Sequence, residues 1–148
     1  MKQFKVLLLI FSFIFLVGCG SPKEVVEPDA YLNIVKELNY EVQDHTSKFA
    51  YSEASYLIST NNFYALYVKG KKRHDVEGLF LDECRNVYNL AEEGYKETTD
   101  GHDNWVSLEV KDSKYYYYVV YVEDTYLYIK TDIANESMAK DLIERLGY

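Results

Sequence analysis

Cysteine is scarce in this 148-residue chain: Cys19 and Cys84 are the only two, too few for a disulfide framework. Basic charge is short as well. Sixteen Lys and Arg face 24 Asp and Glu, for a net charge of −8. An acidic domain is a poor partner for nucleic acid, whose affinity rests on neutralising phosphates. The longest apolar run, Val6 to Val17, is broken only by Ser12 and falls short of the roughly 20 residues that a membrane-crossing helix needs. The three histidines, His45, His74 and His102, have no zinc-ligand spacing. There is no HExxH, no GxSxG elbow, no phosphate-cradling glycine loop and no CxxC, and no carboxylate pair stands out for acid–base work. No catalytic residue, metal ligand or cofactor is therefore assigned.

What the chain does have begins at its first residues. Lys2 and Lys5 form a short positive region, and Val6–Val17 has the length of a signal-peptide core. The run closes on Leu16-Val17-Gly18-Cys19, which resembles the lipobox of bacterial lipoproteins. The resemblance covers this segment alone. It implies cleavage before Cys19 and a diacylglyceryl thioether on that cysteine, and two acyl chains suffice for stable anchoring. An ordinary secretory signal is the competing reading. On the lipoprotein reading, 1–18 is a signal peptide, 19–30 a lipidated cysteine with a short tether, and 31–148 a single domain. The domain is held at the extracytoplasmic face of a cell membrane. In a Gram-positive cell this is the cytoplasmic membrane; Gly20 after the cysteine leaves the choice open in a Gram-negative one. A fully extended 20–30 segment spans at most roughly 35 Å. Without Lys2 and Lys5, 14 basic residues face 24 acidic ones, a net of −10. Cys84 would then be a lone thiol, expected to be buried and inert beside Val76, Phe80 and Val87 in an amphipathic helix.

Three helices are expected. The first opens at Pro28-Asp29 and carries Tyr31, Ile34, Val35 and Leu38; the second runs from an N-cap at Asp75 to about Glu93; the third spans Asn135 to Leu146. Each is followed by Asn or Gly and then Tyr (Asn39-Tyr40, Gly94-Tyr95, Gly147-Tyr148), residues suited to a left-handed helix stop. Strands rich in Tyr, Val and Ile are expected at 40–44, 54–60, 62–69, 104–111, 114–122 and 126–131, with 95–99 as a further segment. The order α-βββ-α-βββ-α argues for an α+β fold: an antiparallel sheet of about five to seven strands, with the helices mainly on one face. An echo between Tyr56–Lys69 and Tyr118–Lys130 raises the idea of a duplication. The layout is similar to that of small Gram-positive lipoproteins that end in a Leu-Gly-Tyr helix, here Leu146-Gly147-Tyr148, and have no assigned function. It carries no site across.

Alternation assigns the faces. A two-residue Asp112-Ser113 turn and a three-residue Glu123-Asp124-Thr125 turn would send Val106, Leu108, Val110, Tyr115, Tyr117, Val119, Tyr121, Leu127 and Ile129 toward the helices. Trp105, Tyr116, Tyr118, Tyr126 and Tyr128 would then line an open face, as polar-tipped aromatics do on recognition surfaces. The oxygen-rich loop Asp100–Asn104 lacks the calcium-loop pattern and reads as a solvated turn. Lys69, Lys71, Lys72 and Arg73 form the one basic cluster, able to meet anionic headgroups or wall polymers, though such charges are more often just solvated. These features favour a non-catalytic interaction or binding module that meets an envelope protein or polymer. The alternative is a small-ligand receptor or enzyme whose site sequence does not reveal.

Overall fold

A computed structural model describes residues 21–148; the signal segment and Cys19 lie outside the described residues. The fold is α+β. Helix α1 (Pro28–Glu37) leads to the short strand β1 (Gln43–Asp44) and then to β2 (Ser52–Ser59) and β3 (Phe63–Gly70). Helix α2 (Arg73–Leu90) follows, then β4 (Lys96–His102), β5 (Trp105–Lys111), β6 (Tyr115–Val122), β7 (Thr125–Asp132) and α3 (Glu136–Arg145). All seven strands form one antiparallel sheet in the order β1-β2-β3-β7-β6-β5-β4. The segment expected at 95–99 is an edge strand running on to His102, and its charged, mostly exposed side chains blunt that edge. Eighteen helical residues and eight strand residues both span roughly 26 Å, so α2 runs the length of the sheet.

Two of the three helix stops work as expected. Asn39 has φ +59°, the Tyr40 N–H reaches the Val35 carbonyl at 3.0 Å, and the Asn39 N–H reaches Lys36 at 3.0 Å. Gly147 has φ +73°, with matching bonds from Tyr148 to Ile143 (3.0 Å) and from Gly147 to Glu144 (2.9 Å). Both are Schellman motifs. The middle helix departs from the expectation. It ends at Leu90, where Ala91 turns extended, and Gly94 belongs to a later turn. At its other end Lys72, not Asp75, occupies the cap position, and Asp75 sits in the first turn.

The helices divide between the two faces. Val76, Phe80, Cys84 and Val87 of α2 pack on Val68, Leu108, Tyr117, Val119 and Tyr126. On the opposite face, Tyr31 and Val35 of α1 join Ala139, Leu142 and Ile143 of α3 against Ile58, Ala65, Tyr67, Val120, Leu127 and Ile129. Both faces of the sheet are thus covered. The duplication idea does not extend to packing. Echo-equivalent Leu66 and Leu127 belong to opposite faces, whereas a two-fold axis relating neighbouring antiparallel strands would keep them on one.

The face assignment fails at a single turn. At the β5–β6 hairpin Val110 pairs with Tyr117 and Leu108 with Val119, two residues from the expected register, so every side chain keeps its face. At the β6–β7 hairpin Val122 pairs with Thr125, leaving a two-residue Glu123-Asp124 turn. Glu123 takes the left-handed φ of +52°, which a tight hairpin demands and a glutamate seldom adopts. The turn is held by the Glu123 N–H on the Asn104 carbonyl (2.8 Å) and the Thr125 hydroxyl on the Val122 carbonyl (2.8 Å). One residue of slip moves all of β7 to the other face: Tyr126 and Tyr128 lie under α2, and Leu127 and Ile129 lie under α1 and α3.

Candidate functional site

The open aromatic face does not exist. Trp105, Tyr116 and Tyr118 lie beneath α1 and α3, Tyr126 and Tyr128 beneath α2, and all five are buried. Their polar tips are partly spent internally: the Tyr116 hydroxyl donates to Glu109 at 2.9 Å, and the Trp105 indole N–H donates to the Ser21 carbonyl at 3.0 Å.

The basic cluster is dispersed by pairing. Lys69 is buried, 3.1 Å from Glu27 and 2.8 Å from Asp124. Burial opposes its charge, but the two carboxylates outweigh that and hold its pKa above the ordinary lysine value. Arg73 engages Glu77 at 2.8 Å, Glu123 at 3.6 Å and the Asp103 carbonyl at 2.9 Å. Lys71 donates to the Ala50 carbonyl at 2.9 Å. The 100–104 segment is the end of β4 and a tight turn in which His102 pairs with Trp105. Among the described residues no three His, Cys, Asp or Glu side chains are grouped to hold a metal ion. Cys84 is fully buried as expected, and burial pushes its thiol well above the ordinary range.

A further surface feature is a cleft of about 390 Å³ at one end of the sheet, where the β2–β3 turn and the end of β7 meet the C-terminus of α2. Its walls include Asn61, Tyr64, Leu90, Tyr115, Tyr128 and Lys130. Tyr64 and Tyr128 face one another with ring centroids 5.7 Å apart, and the Lys130 ammonium lies 4.4 Å over the Tyr115 ring. Leu90, the last residue of α2, is 55% exposed. The Thr131 hydroxyl, also in the lining, is committed to the Asn62 carbonyl at 2.7 Å. Beside the cleft, half-buried Glu83 of α2 has its carboxyl raised, by burial first and then by Asp82, with Asn86 opposing. Burial, then the Glu83 charge, raises the Tyr64 and Tyr128 phenols, which stay neutral donors. The arrangement offers an apolar floor with ring-edge hydroxyls, one cation on its wall and a carboxylate nearby. No nucleophile–base pair is among the lining residues.

Of the residues expected at a site, only Tyr128 reaches this cleft. Tyr64 and Tyr115 were legible as partners only with the two-residue β6–β7 turn in hand, which puts 64, 115 and 128 on one face.

Fold and cleft together define a seven-stranded antiparallel sheet between unequal helical layers, with a small aromatic cleft at one end. No family model and no curated protein matches the sequence. Among solved structures the chain is similar to a GTP-binding regulator from Thermotoga maritima, with a TM-score of 0.50 and 10% identity over 85% of this chain and 91% of that one. At that identity the likeness shows the fold alone.

Proposed function

We propose that this chain is a lipoprotein anchored through Cys19 to the extracytoplasmic face of a membrane, and that its domain is a non-catalytic binding module using the aromatic cleft. The anchor is supported by Leu16-Val17-Gly18-Cys19 closing a short apolar run behind two lysines. The binding role rests on one observation: with both sheet faces covered, the cleft is where half-buried Tyr64 and Tyr115 meet solvent over buried Tyr128, beside an exposed leucine. Rigid aromatics around an apolar notch are the residues that dominate recognition energy. The partner class is an envelope protein presenting an apolar side chain flanked by charge. A small-ligand receptor is the second reading, because the cleft volume lies in the small-molecule range. GTP, named for the T. maritima protein, is not part of the proposal, since the sequence has no phosphate-cradling glycine loop.

Two measurements test it. Mass spectrometry of the membrane fraction should find a mature N-terminus at acylated Cys19; any other N-terminus removes the anchor. Peptide and small-molecule libraries, followed by NMR shift mapping, should give ligands that perturb the cleft. Tyr64→Ser with Leu90→Ser should weaken them by about 30-fold, as loss of a hot spot does. Ligands that bind the double variant equally well would refute the cleft as the site.

A further inference from the structure

Residues 21–27 are not free chain. The Ser21 carbonyl accepts the Trp105 indole N–H at 3.0 Å. Asn104 grips Lys23 from both sides, its amide donating to the Lys23 carbonyl at 2.7 Å and its oxygen accepting the Lys23 N–H at 3.3 Å. The Lys23 ammonium lies 4.5 Å over the Trp105 ring and donates to the Gly147 carbonyl at 3.3 Å. Further along, the Val26 carbonyl accepts the Tyr67 hydroxyl at 2.6 Å, and the Val26 N–H donates to the Tyr148 hydroxyl at 3.4 Å. The segment is a strap laid across one end of the domain. It replaces most of the tether expected at 19–30.

From the docked Ser21, Cys19 is two residues away, a reach of at most about 7 Å. The same end of the sheet carries the Asp103-Asn104 and Glu123-Asp124 turns and the junction from β3 to α2, joined by the Gly70 N–H on the Asp124 carbonyl (2.7 Å) and by Arg73 on the Asp103 carbonyl. We propose that the strap fixes the domain's orientation on the bilayer, setting this end against the lipid headgroups and the cleft at the opposite end. The inference rests on the anchoring at Cys19 proposed above. Charge fits the assignment. In a strongly acidic domain, Lys69 offsets Glu27 and Asp124 here, Arg73 offsets Glu77 and Glu123, and Lys71 and Lys72 are exposed beside them, placed to meet anionic headgroups. The strands then hold the cleft roughly 25 Å from the headgroups.

Trp105 is the only tryptophan in the chain, and it sits under the strap, so it reports the geometry without a label. The chain from Cys19 onward contains every described residue. It can be coupled through the Cys19 thiol to a maleimide phospholipid in phosphatidylcholine–phosphatidylglycerol vesicles, because Cys84 is buried and unreactive. Headgroup-nitroxide lipid should quench Trp105. Inserting a 12-residue Gly-Ser linker between Gly20 and Ser21, which adds about 20 Å of root-mean-square reach, should cut that quenching at least two-fold while circular dichroism stays unchanged. Releasing the strap with Asn104→Ala and Tyr67→Phe should do the same. Equal quenching with and without the linker, or no quenching in the unmodified chain, would overturn the orientation. Because the lipid is attached chemically, that outcome is independent of whether cells acylate Cys19.

Discussion

Tyr31 and Tyr67 stack with ring centroids 4.4 Å apart and planes 16° from parallel, both fully buried, yet their hydroxyls have opposite fates. The Tyr67 hydroxyl donates to the Val26 carbonyl at 2.6 Å, whereas the Tyr31 hydroxyl finds no hydrogen-bond partner among the described residues. Phenylalanine at either position keeps the stack and removes one oxygen. Tyr67→Phe strands a buried carbonyl and should cost about 1–3 kcal/mol. Tyr31→Phe removes a hydroxyl whose desolvation is uncompensated, so its effect should run from neutral to about 2 kcal/mol of added stability. At roughly 4 °C per kcal/mol for a domain of this size, the two variants should melt on opposite sides of, or at least well apart from, one another. Urea unfolding at constant m-value gives the free energies directly. If Tyr31→Phe loses as much as Tyr67→Phe, the difference in hydrogen bonding is not what distinguishes these rings, and the strap is not held by Tyr67.

Three more outcomes follow from the packing. Tyr126→Ala and Leu127→Ala, adjacent residues on opposite faces, should each cost about 2–5 kcal/mol in urea unfolding; an open face would leave one of them silent. Gly70→Ala would bring a Cβ to 2.9 Å from the Val76 side chain and 3.1 Å from the Lys72 carbonyl, so it should cost about 1–3 kcal/mol and be partly rescued by Val76→Ala. Burial, then Asp112, Tyr115 and Glu92, pushes the Tyr117 phenol up to about 12, and burial raises Tyr31, Tyr67, Tyr116 and Tyr126 as well. The fold favours the neutral phenol. Stability should therefore be whole below the unfolded value of about 10 and fall as pH rises above it. Tyrosinate absorbance should then appear together with loss of circular dichroism; tyrosinate forming in a still-native domain would contradict the burial.

The helices, the strands and the fold class were legible because each rests on local signals: Pro28 at a first turn, Asn39 and Gly147 at left-handed stops, Tyr–Val runs between short turns. What was not legible hangs on Glu123. Glu-Asp lacks the glycine or asparagine that announces a two-residue hairpin, and what lets Glu123 hold φ +52° is tertiary: the Asn104 carbonyl and the Arg73 guanidinium. Since strand periodicity is two, that one residue decided the face of Tyr126, Leu127 and Tyr128 together. The strap was hidden for a similar reason. Ser21-Pro22-Lys23-Glu24 reads as linker by composition, and only its contacts with Asn104 and Trp105, more than eighty residues away, make it structure. The cleft inherits the first of these failures, because it is assembled from residues of four elements, β7 among them.

The pairing of β3 with β7 sets the tempo at which this domain can form. Phe63 lies opposite Thr131 and Lys69 opposite Thr125, so the middle of the sheet joins residues some sixty positions apart, while its flanks are hairpins of near neighbours. Hairpins close in microseconds, but a loop of that length must lose its entropy before the central ladder returns any. A chain emerging residue by residue therefore holds β3 as an unpaired, apolar edge until β7 arrives. During that interval the β2–β3 hairpin is the part of the protein most exposed to pairing with the wrong partner.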